Sequence, residues 1–216
     1  MDGVAGAGQG AAAPAAEKKS MHPSQRHTPR VRAMRAAFAR ELRKVPRRKR
    51  VYVDETGATV AMTRLFGRAP PGERVADTVP HAGWESVTLV AAARARGVVA
   101  ALAHGGATDA LSFQSFVEDN LCPALRKGDV VMMDRLGAHR GPQVREAVEA
   151  VGARVLYLPP YSADLSPMED LWSKLKQHLR SAKARTFYAL VVAMGDALRS
   201  VTTADLLGFF RHRDFK

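Results

Sequence analysis

Short apolar runs that alternate with helical periodicity constrain the fold of this chain more than any other feature. From residue 51 onward, runs rich in Val, Leu and Met are separated by segments whose apolar residues recur every three or four positions. This alternation is typical of a layered α/β domain. It predicts strands near residues 51–56, 86–94, 97–103, 129–134 and 154–158. It predicts helices near residues 112–126, 141–151, 167–182, 186–200 and 203–211.

Basic residues are concentrated at the beginning of the chain. Residues 1–50 contain 13 Lys and Arg against 3 Asp and Glu, whereas the remaining residues hold 20 against 18. We therefore expect three parts: a disordered, low-complexity arm over 1–29, a basic helix and linker over 30–50, and one domain over 51–216. The charge suits a polyanionic partner, but it fits a solvated tail that binds nothing equally well.

Several classes of protein are excluded by composition. Charged residues interrupt every long apolar run, so no segment is expected to span a bilayer, and the N-terminus lacks the pattern of a signal peptide. A cytoplasmic location is expected. The single cysteine, Cys122, cannot form an internal disulfide and is expected to be a small buried thiol without a catalytic role.

Two aspartates follow predicted strands. Asp54 comes after an apolar run over 51–53, and Asp134 comes after another over 130–133. We expect both at strand ends on the rim of the sheet, where α/β folds usually bind ligands. Each alone also fits a turn or a helix cap.

Glu169 has two interpretations. Ser166-Pro167-Met168-Glu169 matches a capping box with Pro at the first helical position, which would explain Glu169 completely. The helix that follows has an apolar stripe that would pack on the sheet and bring Glu169 close to the strand ends. If Asp54, Asp134 and Glu169 converge there, they form a hard-oxygen site suited to Mg²⁺ or Mn²⁺.

Three phrases of the sequence follow one another in order. The first is Val53-Asp54-Glu55-Thr56-Gly57, and the second is the run 128–134 that ends in Asp134. The third is the stretch 158–169 that ends in Glu169, followed by Trp172 and Lys176. Asp134 and Glu169 are separated by 34 residues. In these phrases and in this spacing the chain resembles the DDE endonuclease domain of mariner-like bacterial insertion-sequence transposases.

The resemblance implies a fold and a chemistry. It implies a ribonuclease-H-like fold, with a five-stranded mixed sheet flanked by helices on both faces and the first and fourth strands adjacent. It implies that Asp54, Asp134 and Glu169 are catalytic and hold two Mg²⁺ (or Mn²⁺) ions for DNA strand cleavage and strand transfer at the ends of an insertion sequence. The implied partners are transposon-end and target DNA and a second copy of the chain, in a nucleoid-associated protein.

The sequence departs from the family at two places. Arg135 stands where the family commonly has a small amide, and a cation there could contact phosphate or repel a metal. Upstream of residue 51 there is no helix-turn-helix pattern, so we expect a separately encoded helix-turn-helix polypeptide to recognise the DNA ends. The alternative is a catalytically impaired or truncated transposase remnant that only binds nucleic acid. His139 either orients the site, contacts DNA or is merely structural.

Overall fold

Five strands form one mixed sheet in the computed structural model, which describes residues 24–80 and 85–214. The strands are β1 (Arg50–Thr59), β2 (Ser86–Arg94), β3 (Gly97–Gly105), β4 (Val130–Met133) and β5 (Arg154–Tyr157). Their order is β3-β2-β1-β4-β5. The pairs β1–β2 and β2–β3 are antiparallel, and β1–β4 and β4–β5 are parallel. The predicted strands and the adjacency of the first and fourth are therefore confirmed.

Helices cover both faces of the sheet. They are α1 (Pro29–Arg43), α2 (Ala110–Ser115), α3 (Pro142–Ala150), α4 (Met168–Ala182), α5 (Phe187–Arg199) and α6 (Thr203–Asp214). Side chains of β1 alternate between two cores: Tyr52 packs with α1, α4, α5 and α6, whereas Val53 packs with α2 and α3. None of the helices within 24–80 and 85–214 has the length and apolar character to cross a bilayer.

The helix predicted over 112–126 is composite. After α2, a π-helical turn spans Phe116–Leu121 and a 3₁₀ turn spans Cys122–Ala124. Pro123 lacks the N–H that a continuing α-helix needs, so the regular ladder cannot run to residue 126. Cys122 is partly exposed rather than buried, and burial of its thiol together with the charge of Glu118 raises its pKa.

The basic N-terminal segment packs on the domain instead of extending into solvent. Within the arm predicted over 1–29, residues 1–23 lie outside the described part, and Ser24–His27 forms a 3₁₀ turn in place of the predicted disorder. Thr28 then caps α1, and Phe38 of α1 is 4% exposed within the main core. The amphipathic pattern of this helix therefore reports a real buried face.

Candidate functional site

Asp54 lies in the interior of β1, so the predicted position at a strand end is wrong. β4 pairs only with the first three residues of β1, in the register Arg50↔Val130 to Tyr52↔Met132. β1 then continues beside β2, where Asp54 is paired with Ala91. Asp134 follows β4 directly, as predicted. The parallel register, extended by two residues, brings Asp54 and Asp134 to neighbouring positions on one face.

Glu169 lies in the first turn of α4, but the predicted capping box does not form. Pro167, not Ser166, is the residue before the helix, and the Ser166 hydroxyl accepts a hydrogen bond from Met168 N at 3.3 Å. A capping box requires the glutamate to accept from the backbone N–H of the capping residue, which a proline does not have. The Glu169 side chain is exposed and has no hydrogen-bond partner among the described residues. Capping therefore does not explain it.

The three predicted site residues share one pocket. Asp54, Asp134 and Glu169 all line a cavity of about 430 Å³. The loop between β5 and α4, which includes Pro159 and Tyr161, forms much of the remaining wall.

The Asp54 carboxylate accepts a hydrogen bond, but burial disfavours its charged form. The indole Nε1–H of Trp172 donates to Asp54 Oδ2 at 2.9 Å. Burial raises the pKa of Asp54 to about 6, and the charges of Glu169 and Asp134 act in the same direction, although the bond from Trp172 opposes them. A cation in the pocket would offset this penalty.

Asp134 has the opposite electrostatic balance. Burial acts to raise its pKa, but hydrogen bonds from His139 Nδ1 and Leu136 N to Oδ1 outweigh burial, and the pKa lies below its usual value. The His139 ring is 1% exposed and stacks on Phe113 with centroids 4.0 Å apart. His139 thus orients Asp134, and its buried ring is not presented to a nucleic acid at the surface.

Arg135 is an exposed cation on the wall of the same pocket. Its guanidinium carbon lies 5.6 Å from the centroid of the Tyr157 ring, and that of Arg145 lies 5.8 Å from the same centroid. A cation–π contact of this kind holds Arg135 over the aromatic ring beside the carboxylates.

The donor set of the pocket fits a hard divalent cation by its chemistry. Three carboxylates supply the oxygen ligands and negative charge that Mg²⁺ and Mn²⁺ prefer. Burial raises the pKa of Asp54, and the charges of Glu169 and Asp134 add to that rise. Within residues 24–80 and 85–214, no three His, Cys, Asp or Glu side chains stand close enough together to form a complete coordination shell. Side-chain movement would have to bring these ligands onto an ion.

The contacts of two residues near the site were not predicted from the sequence. Trp172 lies three positions after Glu169, so the helical spacing could have placed both on one face of α4. Asp164 accepts from Arg35 at 2.8 Å and from Arg26 at 2.8 Å, which ties α1 to the loop before Glu169. Nothing local in the sequence signals this pairing, because 129 and 138 positions separate the partners.

Comparisons with known proteins agree with this architecture. The crystal structure of the catalytic domain of Mos1 mariner transposase is 16% identical, with a TM-score of 0.66 and coverage of 92% of this chain and 93% of that chain. The Mos1 transposase paired-end complex with left transposon end is 18% identical, with a TM-score of 0.75 and coverage of 93% and 64%. The chain thus spans about 64% of the length of that transposase chain. At these identities the likeness shows the fold alone, which is ribonuclease-H-like as predicted.

The sequence also matches a family directly. No curated protein sequence matches the chain. The sequence profile described as "DDE superfamily endonuclease" matches residues 49–191, about two thirds of the length, and this segment includes Asp54, Asp134 and Glu169. With the five-stranded sheet and its shared carboxylate pocket, this match establishes that the chain belongs to the DDE superfamily of endonucleases.

Proposed function

We propose that this chain is the catalytic part of a transposase. It would cut DNA strands at the ends of an insertion sequence and join those ends to a new DNA site. The observation that carries the proposal is the meeting of Asp54, Asp134 and Glu169 on the wall of one pocket, although they come from a strand interior, a strand end and a helix start. Three separate elements supplying carboxylates to one cavity is the arrangement expected of a metal-dependent phosphodiester site.

In this proposal Asp54, Asp134 and Glu169 would hold two Mg²⁺ or Mn²⁺ ions. The ions, when bound, supply the positive charge that offsets the charge developing during in-line displacement at a phosphodiester. Trp172 and His139 each donate a hydrogen bond to a different aspartate and so fix the direction of its oxygens. Arg135, on the same wall, is placed to contact a DNA phosphate.

The proposed partners extend the comparison with transposase complexes. One similar structure is described as a paired-end complex with left transposon end, and others as paired-end complexes with Mn and with Mg. By analogy, transposon-end and target DNA are the proposed substrates and a homodimer the proposed active form. The chain spans 64% of the transposase in the first of these complexes. A separate helix-turn-helix polypeptide is a further proposed partner, for recognition of the transposon ends.

The test is cleavage of a labelled duplex that carries the inverted repeats flanking the gene. The wild type should cut it with Mg²⁺ or Mn²⁺ and not with a chelator, and Asp134→Asn should not cut it. Asp196→Asn is the matched control, because Asp196 is an exposed acid on α5 whose ion-pair partner among the described residues is Arg199. A wild type that leaves the duplex uncut with either ion would overturn the proposal of catalysis.

A second candidate is a remnant that binds nucleic acid without cutting it. Arg135 on the pocket wall and the spacing of the carboxylates favour this candidate, since a resident cation reduces the attraction for a metal. Arg135→Asn separates the two. In an impaired protein the substitution should restore metal-dependent cleavage. In an active transposase it should weaken DNA binding.

A further inference from the structure

A second pocket, lined by arginines, lies at the other end of the central strands. We define the basic pocket as the cavity of about 760 Å³ whose lining includes Arg47, Arg48, Arg94, Arg96 and Arg126. Its lining also includes the apolar residues Ala95, Val99, Ala124 and Leu207. No Asp or Glu is among the described residues that line it.

The position of the basic pocket separates it from the carboxylates. Arg47 and Arg48 precede β1, and Arg126 lies in the loop before β4. Because β1 and β4 run parallel, the amino ends of both strands lie on the same side of the sheet. Asp134 follows the carboxyl end of β4, on the opposite side. At about 3.3 Å per residue, the length of β4 with its two flanking residues is roughly 16 Å. The basic pocket and the carboxylate pocket have no lining residue in common.

Three of the five arginines in the basic pocket carry a charge that no ion pair compensates within the described part of the protein. Arg94 is paired with the buried Asp129 at 2.6 Å. The guanidinium groups of Arg48, Arg96 and Arg126 have no ion pair with any residue that the structure describes, and all three residues are exposed. Gathering like charges around one cavity raises the free energy of the folded state, and a polyanion would relieve that repulsion.

We propose that the basic pocket binds the phosphodiester backbone of DNA, at a site distinct from the carboxylate pocket. Arginine suits this ligand because its planar guanidinium donates two parallel hydrogen bonds to phosphate. The apolar residues of the lining can pack against the deoxyribose, while the arginines supply the charge. Binding at such a surface is independent of base sequence and depends strongly on salt.

The experiment measures binding of a labelled duplex of unrelated sequence to the full chain, with a chelator present so that no cutting occurs. The test variant combines Arg48→Glu, Arg96→Glu and Arg126→Glu. The matched control combines Arg68→Glu, Arg74→Glu and Arg211→Glu, which change the net charge equally at exposed residues that line neither pocket. A second test variant with Gln at the same three positions serves if the Glu variant does not fold.

The basic pocket predicts a specific difference between the variants. The test variant should lose more than about tenfold in affinity, and its log–log salt slope should fall by about 2 to 3 because three phosphate contacts are lost. The control should change the slope by less than about one. Equal slopes in the two variants, or no binding by the wild type, would overturn the assignment.

Two further arms identify the ligand and separate this proposal from the proposed cleavage. Poly-glutamate or inorganic phosphate that raises the melting temperature of the wild type, while the DNA salt slope is unaffected by the test variant, would assign the pocket to another anion and overturn the proposal. Asp134→Asn should abolish cleavage and leave the salt slope within about one unit of the wild type. Cleavage can therefore fail while DNA binding at the basic pocket stands, and the reverse.

Discussion

Strand β4 has an aspartate at each end, and the two differ in the charged groups that surround them. Asp129, before β4, is fully buried, and its oxygens meet Arg94 at 2.6 Å, Arg126 N at 2.7 Å and Lys49 Nζ at 3.7 Å. Asp134, after β4, shares a pocket with two other carboxylates, and Arg135, the cation among the described residues that line this pocket, lies over an aromatic ring. Asp129 is thus matched by cations of the chain and is structural. Asp54, Asp134 and Glu169 have no ion pair with Lys or Arg among the described residues and are available to a cation from outside.

The substitution expected to have the largest effect on activity is Glu169→Gln. Because Glu169 is exposed, makes no cap and has no hydrogen bond among the described residues, the substitution should barely change the melting temperature. Loss of one anionic ligand should reduce metal-dependent cleavage at least about a hundredfold, since metal electrostatics supply several kcal/mol. Melting curves and initial cleavage rates on the same preparation test this. Cleavage near the wild-type rate would remove Glu169 from the site.

The opposite end of β4 should respond in stability instead of activity. Asp129→Asn leaves the partly buried Arg94 without its counter-charge, which should reduce the free energy of unfolding by about 3 kcal/mol. Urea titration at pH 7 measures the loss, and cleavage per folded molecule should not change. Asp196→Asn is again the control, because the exposed pair with Arg199 should contribute little. A control that is destabilised as much as Asp129→Asn would contradict the assignment.

Asp54→Asn should stabilise the metal-free protein at neutral pH. The folded pKa of about 6 lies above the unfolded value near 3.9, so the folded state holds a proton between these values and loses stability as pH rises through them. Asn removes that penalty, and the variant should exceed the wild type by about 3 kcal/mol at pH 7.5. The difference should vanish near pH 4. Urea titrations with a chelator at both pH values test the sign, and a wild type more stable than the variant at pH 7.5 would contradict it.

Trp172→Phe should have the smallest effect, about 1 kcal/mol in unfolding, because it removes one hydrogen bond and keeps most of the ring. The indole N–H favours the charged form of Asp54, so its loss should raise the pKa of that carboxyl further. The acid limb of metal-dependent cleavage should then move to higher pH. An unmoved pH profile would show that the indole only packs.

The strands were predictable because apolar runs and turns are local signals, whereas the adjacency of the first and fourth strands was expected only from the family resemblance. The position of Asp54 within β1 was not, because β1 pairs with β2 as far as Thr59 after β4 has ended, and the sequence does not state which neighbour ends first. The prediction of a capping box was wrong because Pro167, not Ser166, occupies the capping position. The tie between Arg35 and Asp164 could not be predicted, because it depends on tertiary contacts between distant segments.

The interior position of Asp54 has a consequence for the entropy of ligand binding. The backbone of Asp54 is fixed by strand pairing and its carboxylate by Trp172, so its conformational freedom is lost when the chain folds. Glu169, exposed and without a hydrogen bond among the described residues, keeps its rotamers until something binds, and fixing such a side chain costs up to about 2 kcal/mol. Asp54 is therefore the preorganised member of the three carboxylates, and Glu169 is the one whose ordering lowers the affinity for an ion.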